Sequence, residues 1–179
     1  MRARFGAEGC RNAAHGSDSP ASARRELALF AAWEAGPLPE APLCLVLLKP
    51  HVLRARQLGA AVEALCARLT DAGLGLCRAE TFSLGQKQAE ELLEIYRDVL
   101  PEFAEMATTL AEGPLLALAV EGAVEAVRAL VGPRDPQLAR VLRPTSLRAQ
   151  FGIDRAHNAF HCSDLAEDGA LECEFVFTL

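Results

Sequence analysis

Residues 43–48 (LCLVLL) form an unbroken apolar run between Pro42 and Lys49-Pro50. Such a run leaves no face for solvent, so it predicts a strand covered on both sides. The pattern then switches to helical spacing. Leu58, Ala61, Val62, Leu65 and Leu69 share one face of a helix over 57–72, and Gly73 supplies its stop. A second strand is predicted over 74–82. Helices follow over 86–99, carrying Leu92, Leu93, Ile95 and Tyr96, and over 102–111, halted by Gly113-Pro114. A third apolar strand covers 115–120, and a helix over 123–131 ends at Gly132-Pro133. Residues 134–150 read as a long irregular loop. A short strand over 158–162, at best a helical turn over 167–171, and an extended segment over 174–177 complete the pattern. The order β-α-β-α-α-β-α-loop-β predicts an α+β fold: a ferredoxin-like antiparallel sheet with helices covering one face.

Upstream of the first strand, Ser19-Pro20 opens an amphipathic helix whose apolar face includes Ala23, Leu27, Phe30 and Ala31. With no sheet of its own to cover, this helix is expected to dock on the following domain or to be poorly ordered. Residues 34–42 (EAGPLPEAP) hold three prolines and a glycine and form a linker. The 179 residues leave room for one ordinary domain and a remnant. A hydrophobic fraction of 51% with mean hydropathy +0.14 supports a well-buried core. The net charge of −6 argues against a nucleic-acid-coating role, so DNA is not an expected partner. Six scattered cysteines without a CxxC pair argue against a zinc site and a disulfide scaffold. No apolar run is long enough to span a membrane and no signal peptide is read, so a reducing cytosolic compartment without membrane attachment is expected.

The chain also repeats itself. Arg2, Phe5, Gly6, Asn12, His15, Ser17, Asp18 and Glu26 recur as Arg148, Phe151, Gly152, Asn158, His161, Ser163, Asp164 and Glu172. The offset of 146 from His15 to His161 holds for every pair. That period is too long for a solenoid unit of about 20 to 50 residues and fits a whole domain. Most of the repeated side chains are polar groups that bind phosphate or move protons, a choice that core packing does not demand.

Within the second copy, Lys49 closes the first strand, Arg128 lies near the end of a helix, and Arg148 follows the long loop. Asn158 and His161 sit at i and i+3 on one short strand. Three cations and a histidine without cysteine ligands suggest an anionic ligand. Arginine suits phosphate because its planar fork donates two parallel hydrogen bonds. A neutral histidine can accept a phosphoryl group as a nucleophile, with Ser163 and Glu172 orienting its ring. Singly, each cation reads as an ordinary solvated charge, and Tyr96 as a core residue. The repeat is what tips the balance toward a site.

NAAHGSDS (residues 12–19) followed by SARRELALF resembles the signature of nucleoside diphosphate kinases, and NAFHCSD (158–164) is a variant of it. The resemblance extends through LVLLKPHV, Tyr96, EGPLLALAVEG, RALVGPRDP and RPTSLRAQFG, covering essentially all of 43–177. The second copy is most similar to the last domain of the tandem-domain branch of this family found in ciliary axonemes and at centrosomes. The resemblance therefore implies three parts: residues 1–33 as the C-terminal remnant of a first kinase domain, 34–42 as linker, and 43–179 as a complete kinase-like domain.

It also implies a mechanism. A nucleoside triphosphate such as ATP or GTP donates its γ-phosphoryl to His161, which passes it to a diphosphate. Lys49, Arg128 and Arg148 match the phosphate-binding cations. Tyr96 matches the tyrosine beside the histidine, Asn158 the residue that reads the sugar, and Ser163 and Glu172 the supporting groups. Mg²⁺ would arrive with the nucleotide phosphates. Microtubule-associated proteins of the axoneme or centrosome are the implied macromolecular partners, and cilium, centrosome and cytoskeleton the implied locations. The lysine, tyrosine and first arginine that would serve His15 fall upstream of Met1, so residues 1–33 are expected to be inactive.

Several positions depart from the family pattern. His51 replaces an Asp, Cys162 replaces a Gly after the histidine, and Arg134 replaces a phosphate-contacting Thr. The base-stacking aromatic aligns with Glu102, leaving Phe103 one place later to serve the base. The segments after Tyr96 and before Arg128 are shorter than usual, and the loop before Arg148 is longer, which puts the family's hexameric assembly in question. These changes keep an alternative open: a weakly active or inactive scaffold on ciliary or centrosomal microtubules.

Overall fold

The computed structural model describes residues 4, 6–7, 13–34 and 37–179, with side chains of 28–34 left aside. Arg2, Phe5 and Asn12 of the first repeat lie outside the described residues, as do the side chains of Phe30 and Ala31. The chain divides into two units, Met1–Pro37 and Leu38–Leu179.

In the first unit, helix α1 (Pro20–Glu34) follows Ser19, whose hydroxyl accepts from the Ser22 backbone N–H at 3.1 Å. Within it, Glu26 receives His15 Nε2 at 2.9 Å and the Ser17 hydroxyl at 2.5 Å.

The second unit is built on four strands: β1 (Leu43–Leu48), β2 (Gly75–Ser83), β3 (Pro114–Glu121) and β4 (Phe160–Cys162). Their spatial order is β2-β3-β1-β4 and every pairing is antiparallel. Eight helices accompany them. They are α2 (Pro50–Arg54), α3 (Leu58–Asp71), α4 (Gln86–Leu92), α5 (Phe103–Ala111), α6 (Val124–Val131), α7 (Pro136–Leu142), α8 (Leu147–Phe151) and α9 (Ala166–Phe177). A 3₁₀ turn at Glu94–Tyr96 replaces the last part of the helix expected over 86–99.

All six β1 residues are buried because the strand is central and feeds two cores. Cys44, Val46 and Leu48 pack with Leu65 of α3 and Val127 of α6. Leu43, Leu45 and Leu47 pack on the opposite face with Ala89, Leu110 and Cys173 of α4, α5 and α9. Helices thus cover both faces of the sheet, where one covered face was expected. Period-2 alternation along β1 sorts the side chains, and both sets being apolar demands both layers.

Two further expectations change. The long loop expected over 134–150 is instead occupied by α7 and most of α8. Asp135 starts α7 by accepting the backbone N–H groups of Gln137 and Leu138, and Pro136 occupies the first turn where no N–H is needed. The tail is one helix, α9, where a turn and an extended piece were expected. Alternation over 174–177 suggested a strand, but Gly169, Glu172, Cys173 and Val176 form a longer buried helical stripe. Gly169 lets α9 lie against β1, since a Cβ there would stand 1.9 Å from the Leu43 carbonyl oxygen.

Candidate active site

β4 brings His161 to the sheet opposite Leu47 of β1. Its neighbours Phe160 and Cys162 belong to the α3–α6 core, while His161 turns to the other face, toward α9. There Glu172 Oε2 lies 3.2 Å from His161 Nε2 and accepts from the Ser163 hydroxyl at 2.8 Å. Ser163 Oγ in turn accepts the Leu45 backbone N–H at 3.0 Å, so the hydroxyl is fixed from two sides. An ionised carboxylate only accepts, which assigns the histidine proton to Nε2 and leaves Nδ1 with its lone pair. His161, Ser163 and Glu172 are all buried.

The cations converge from separate elements. Lys49, at the end of β1, is buried and donates from Nζ to the Ala156 carbonyl at 2.8 Å. Burial first, then Arg148 and Arg134, push its amine down to about 7. Arg148 donates to the Phe160 carbonyl from Nε and Nη2 (3.1 and 2.9 Å) and to the Gly132 carbonyl from Nη1 (2.8 Å). Gly132 is required at its turn. Its φ is +88°, and a Cβ would sit 2.3 Å from Ser146 Oγ. Arg128 donates to the Asp164 carbonyl and pairs with its carboxylate at 2.5 Å. Tyr96 donates its phenol to the same carboxylate at 2.5 Å, and burial and that contact raise its pKa.

Asp164 is the functional-site residue that sequence reasoning passed over. It joins Tyr96, Arg128 and the His161 strand at one point. Its signal was present in the repeat, where Asp18 and Asp164 correspond. Asn158 precedes β4 instead of lying on it. Its Nδ2 donates to the Arg134 carbonyl at 3.1 Å, and its buried Oδ1 has no partner among the described residues. Phe103 is engaged differently: Arg97 stacks on its ring at 4.7 Å, and it lines a cavity with Val99, Leu100 and Pro101.

A cavity of about 710 Å³ opens beside this cluster, lined among others by Tyr96, Arg128, Arg134, Arg148 and Asp164. Four guanidinium groups around one cavity, those of Arg128, Arg134, Arg143 and Arg148, favour an anion with several oxygens. Lys49, Asn158 and His161 are buried outside its lining. Arg148 reaches the Phe160 carbonyl next to His161, and Asn158 reaches the backbone of Arg134. Among the described residues no group of three His, Cys, Asp or Glu side chains is placed to hold a metal ion. No helix of the described residues is long and apolar enough to cross a membrane.

A family model described as nucleoside diphosphate kinase matches residues 43–179. The chain is 39% identical to the mouse (Mus musculus) protein named Nucleoside diphosphate kinase homolog 7, covering 100% of this chain and 46% of that protein. It therefore spans about half the length of that relative. The nucleoside diphosphate kinase of Aquifex aeolicus (strain VF5) is 32% identical, with 75% of this chain and 92% of that protein covered. A crystal structure of the A. aeolicus kinase matches with a TM-score of 0.67 at 31% identity, over 75% of this chain and 94% of that one. A buried histidine held by a carboxylate that a serine also engages, on a β2-β3-β1-β4 sheet with an arginine-lined cavity nearby, agrees with an independent match over the same residues: the chain belongs to the nucleoside diphosphate kinase family.

Proposed function

We propose that residues 43–179 transfer the γ-phosphoryl of a nucleoside triphosphate to a nucleoside diphosphate through phospho-His161. The observation that carries this reading is the Nε2 contact with Glu172, which frees Nδ1 as the nucleophile next to a cation cluster. The Nδ1 lone pair attacks the γ-phosphorus, the bond to the β–γ bridging oxygen breaks, and the diphosphate leaves with that electron pair. An acceptor diphosphate oxygen then attacks the phosphohistidine and returns the pair to Nδ1. Lys49, Arg128 and Arg148 hold phosphate oxygens and offset their charge, Asn158 receives the sugar, and Tyr96 and Asp164 keep Arg128 in place. Phe103 serves the base only by turning from Arg97. Mg²⁺ fits this donor set as an ion carried on the substrate phosphates, where it would neutralise phosphate charge. Residues 1–33 are the tail of a first domain joined by the linker 34–42.

The test is phosphohistidine formation from γ-labelled ATP in the wild type, His161→Ala and His15→Ala. Acid-labile label lost only in His161→Ala and chased onto GDP is the expected result. ATP binding without label at His161 would overturn transfer.

A second reading is a nucleotide-binding docking domain on ciliary or centrosomal microtubules. It is favoured by Leu138, Val141 and Leu142 on one side of α7, which are 49%, 78% and 63% exposed.

A further inference from the structure

Resting on that reading of the nucleotide site, we infer that Arg155 is a positioning residue: its guanidinium fastens two stretches of the cavity lining to each other and so sets how fast a nucleotide enters and leaves. Arg155 reaches two carboxylates at once. Its Nη1 donates to Glu102 Oε1 at 3.0 Å and its Nε to Asp135 Oδ2 at 2.9 Å. Glu102 comes two residues after Leu100, which lines the 710 Å³ cavity together with Tyr96 and Val99. Asp135 directly follows Gly132, Pro133 and Arg134, which line the cavity from another part of the chain. Arg155 also precedes Ala156, whose carbonyl holds Lys49. One side chain thus joins three segments that lie far apart in sequence.

The stretch 97–101 is held at both ends, and the two fastenings differ. At one end the part-buried Tyr96 phenol donates to Asp164 at 2.5 Å. At the other, the Arg155 side chain is 57% exposed, and its partners Glu102 and Asp135 are 18% and 26% exposed. An ion pair open to water holds weakly and is screened by salt, so this end releases first. Arg134 adds only looser contacts there. Its Nη1 meets the Met106 thioether, a weak acceptor, at 3.4 Å, and its Nη2 stands 3.7 Å from Glu102 Oε2. Release of the Glu102 end loosens the cavity between the two stretches, and re-forming both ion pairs restores it, a motion of the kind that gates ligand exchange. Asp135 offers a clean way to cut the fastening. Its Oδ1 accepts the Gln137 and Leu138 N–H groups that start α7, while Oδ2 takes Arg155. Asparagine keeps the first role and loses the second.

The experiment is stopped-flow association and dissociation of ATP carrying a fluorescent methylanthraniloyl group on its ribose. It uses the whole chain as wild type, Arg155→Gln, Arg155→Lys, Asp135→Asn and the double variant Arg155→Gln with Asp135→Asn. Arg155→Gln is expected to speed both association and dissociation by about fivefold, the scale of two exposed ion pairs. The equilibrium affinity, their ratio, should move much less. Asp135→Asn should speed both rates by a smaller factor, and the double variant should be no faster than Arg155→Gln, because both changes cut one bridge. Arg155→Lys should recover part of the slow exchange, since it keeps the charge and loses the fork. If Arg155→Gln and Asp135→Asn exchange the nucleotide at wild-type rates, whatever their unfolding midpoints, Arg155 is a surface strut and the inference falls with the nucleotide site intact. If the wild type binds no labelled ATP, the nucleotide-site reading falls and takes the inference with it.

Discussion

Glu172 and His161 meet at 3.2 Å through a single oxygen, Oε2, which also accepts the Ser163 hydroxyl at 2.8 Å. One carboxylate therefore fixes both the tautomer of the histidine and the end of the strand that carries it. Glu172→Gln keeps the shape and offers an amide where a carboxylate stood. Losing a hydrogen bond to a charged group costs roughly 1.5–3 kcal/mol, which is on the order of a tenfold to hundredfold fall in the phosphorylation rate. Ser163→Ala should lose less, since His161 keeps its partner. Single-turnover phosphorylation from ATP measures both, and an unchanged rate in Glu172→Gln would remove the carboxylate from the mechanism.

Lys49 gives the site a pH signature. Its buried amine titrates near 7 in the free protein, well below the ordinary lysine range. A bound phosphate favours the charged form and raises that value, so binding takes up a proton above pH 7 and weakens as pH rises. Calorimetry in buffers of differing ionisation heat should show proton uptake near pH 8. Lys49→Arg should abolish it, because guanidinium stays charged across this range. Equal uptake in both proteins would place the proton elsewhere.

His51 governs stability at acid pH. It is buried, both ring nitrogens lack a hydrogen-bond partner among the described residues, and it makes a T-shaped contact with the His157 ring at 5.2 Å between centroids. Burial first, then Lys49 and His157, hold its pKa down to about 4. The unfolded chain protonates this ring near 6.5, so unfolding takes up a proton between those values. The contribution is complete above about 6.5 and is lost as pH falls toward 4. His51→Leu should flatten that part of the profile of urea midpoint against pH and cost little at pH 7, since two buried unpaired polar atoms disappear. Parallel profiles for the two proteins would assign the acid loss to other groups.

Gly169 and Gly59 are both helical glycines with opposite expectations. A methyl group on Gly169 meets the Leu43 carbonyl, whereas nothing lies within 4 Å of one on Gly59. Gly169→Ala should destabilise by about 1–3 kcal/mol through overpacking. Gly59→Ala should stabilise by roughly 0.5–1 kcal/mol, because alanine restricts the unfolded chain and favours helix. Denaturant unfolding of the two variants decides it, and a stabilised Gly169→Ala would mean α9 can lift from β1.

Much of this was legible in the chain. The run 43–48 announced a central strand because both of its faces are apolar, and the observed register of β1 with β3 and β4 uses all of it. The repeat pointed to His161, Ser163 and Glu172 because their contacts are local, within eleven residues. Contacts across long separations were not legible. Tyr96 and Asp164 lie 68 positions apart, and nothing in either local pattern announces the other. Helices α7 and α8 were missed because each is short, too short for a hydrophobic period to register, and rests instead on its first residues and its fit to the core. The status of Arg134 was open for the same reason. Whether a cation is engaged depends on acceptors such as Met106 and Glu102, on another helix.

The first unit repeats the local arrangement of the histidine motif. His15 and Ser17 gather on Glu26 at the same eleven- and nine-residue spacings as His161 and Ser163 on Glu172. Yet the His15 side chain is 74% exposed and that of His161 is 5%. The triad is a portable cassette, assembled by a short stretch and the helix behind it. Burial and cations come from strands and helices far away in sequence. In chains built from such cassettes, substitutions that silence a copy should therefore fall in its distant scaffold, leaving the signature intact and counting motifs a poor way to count working centres.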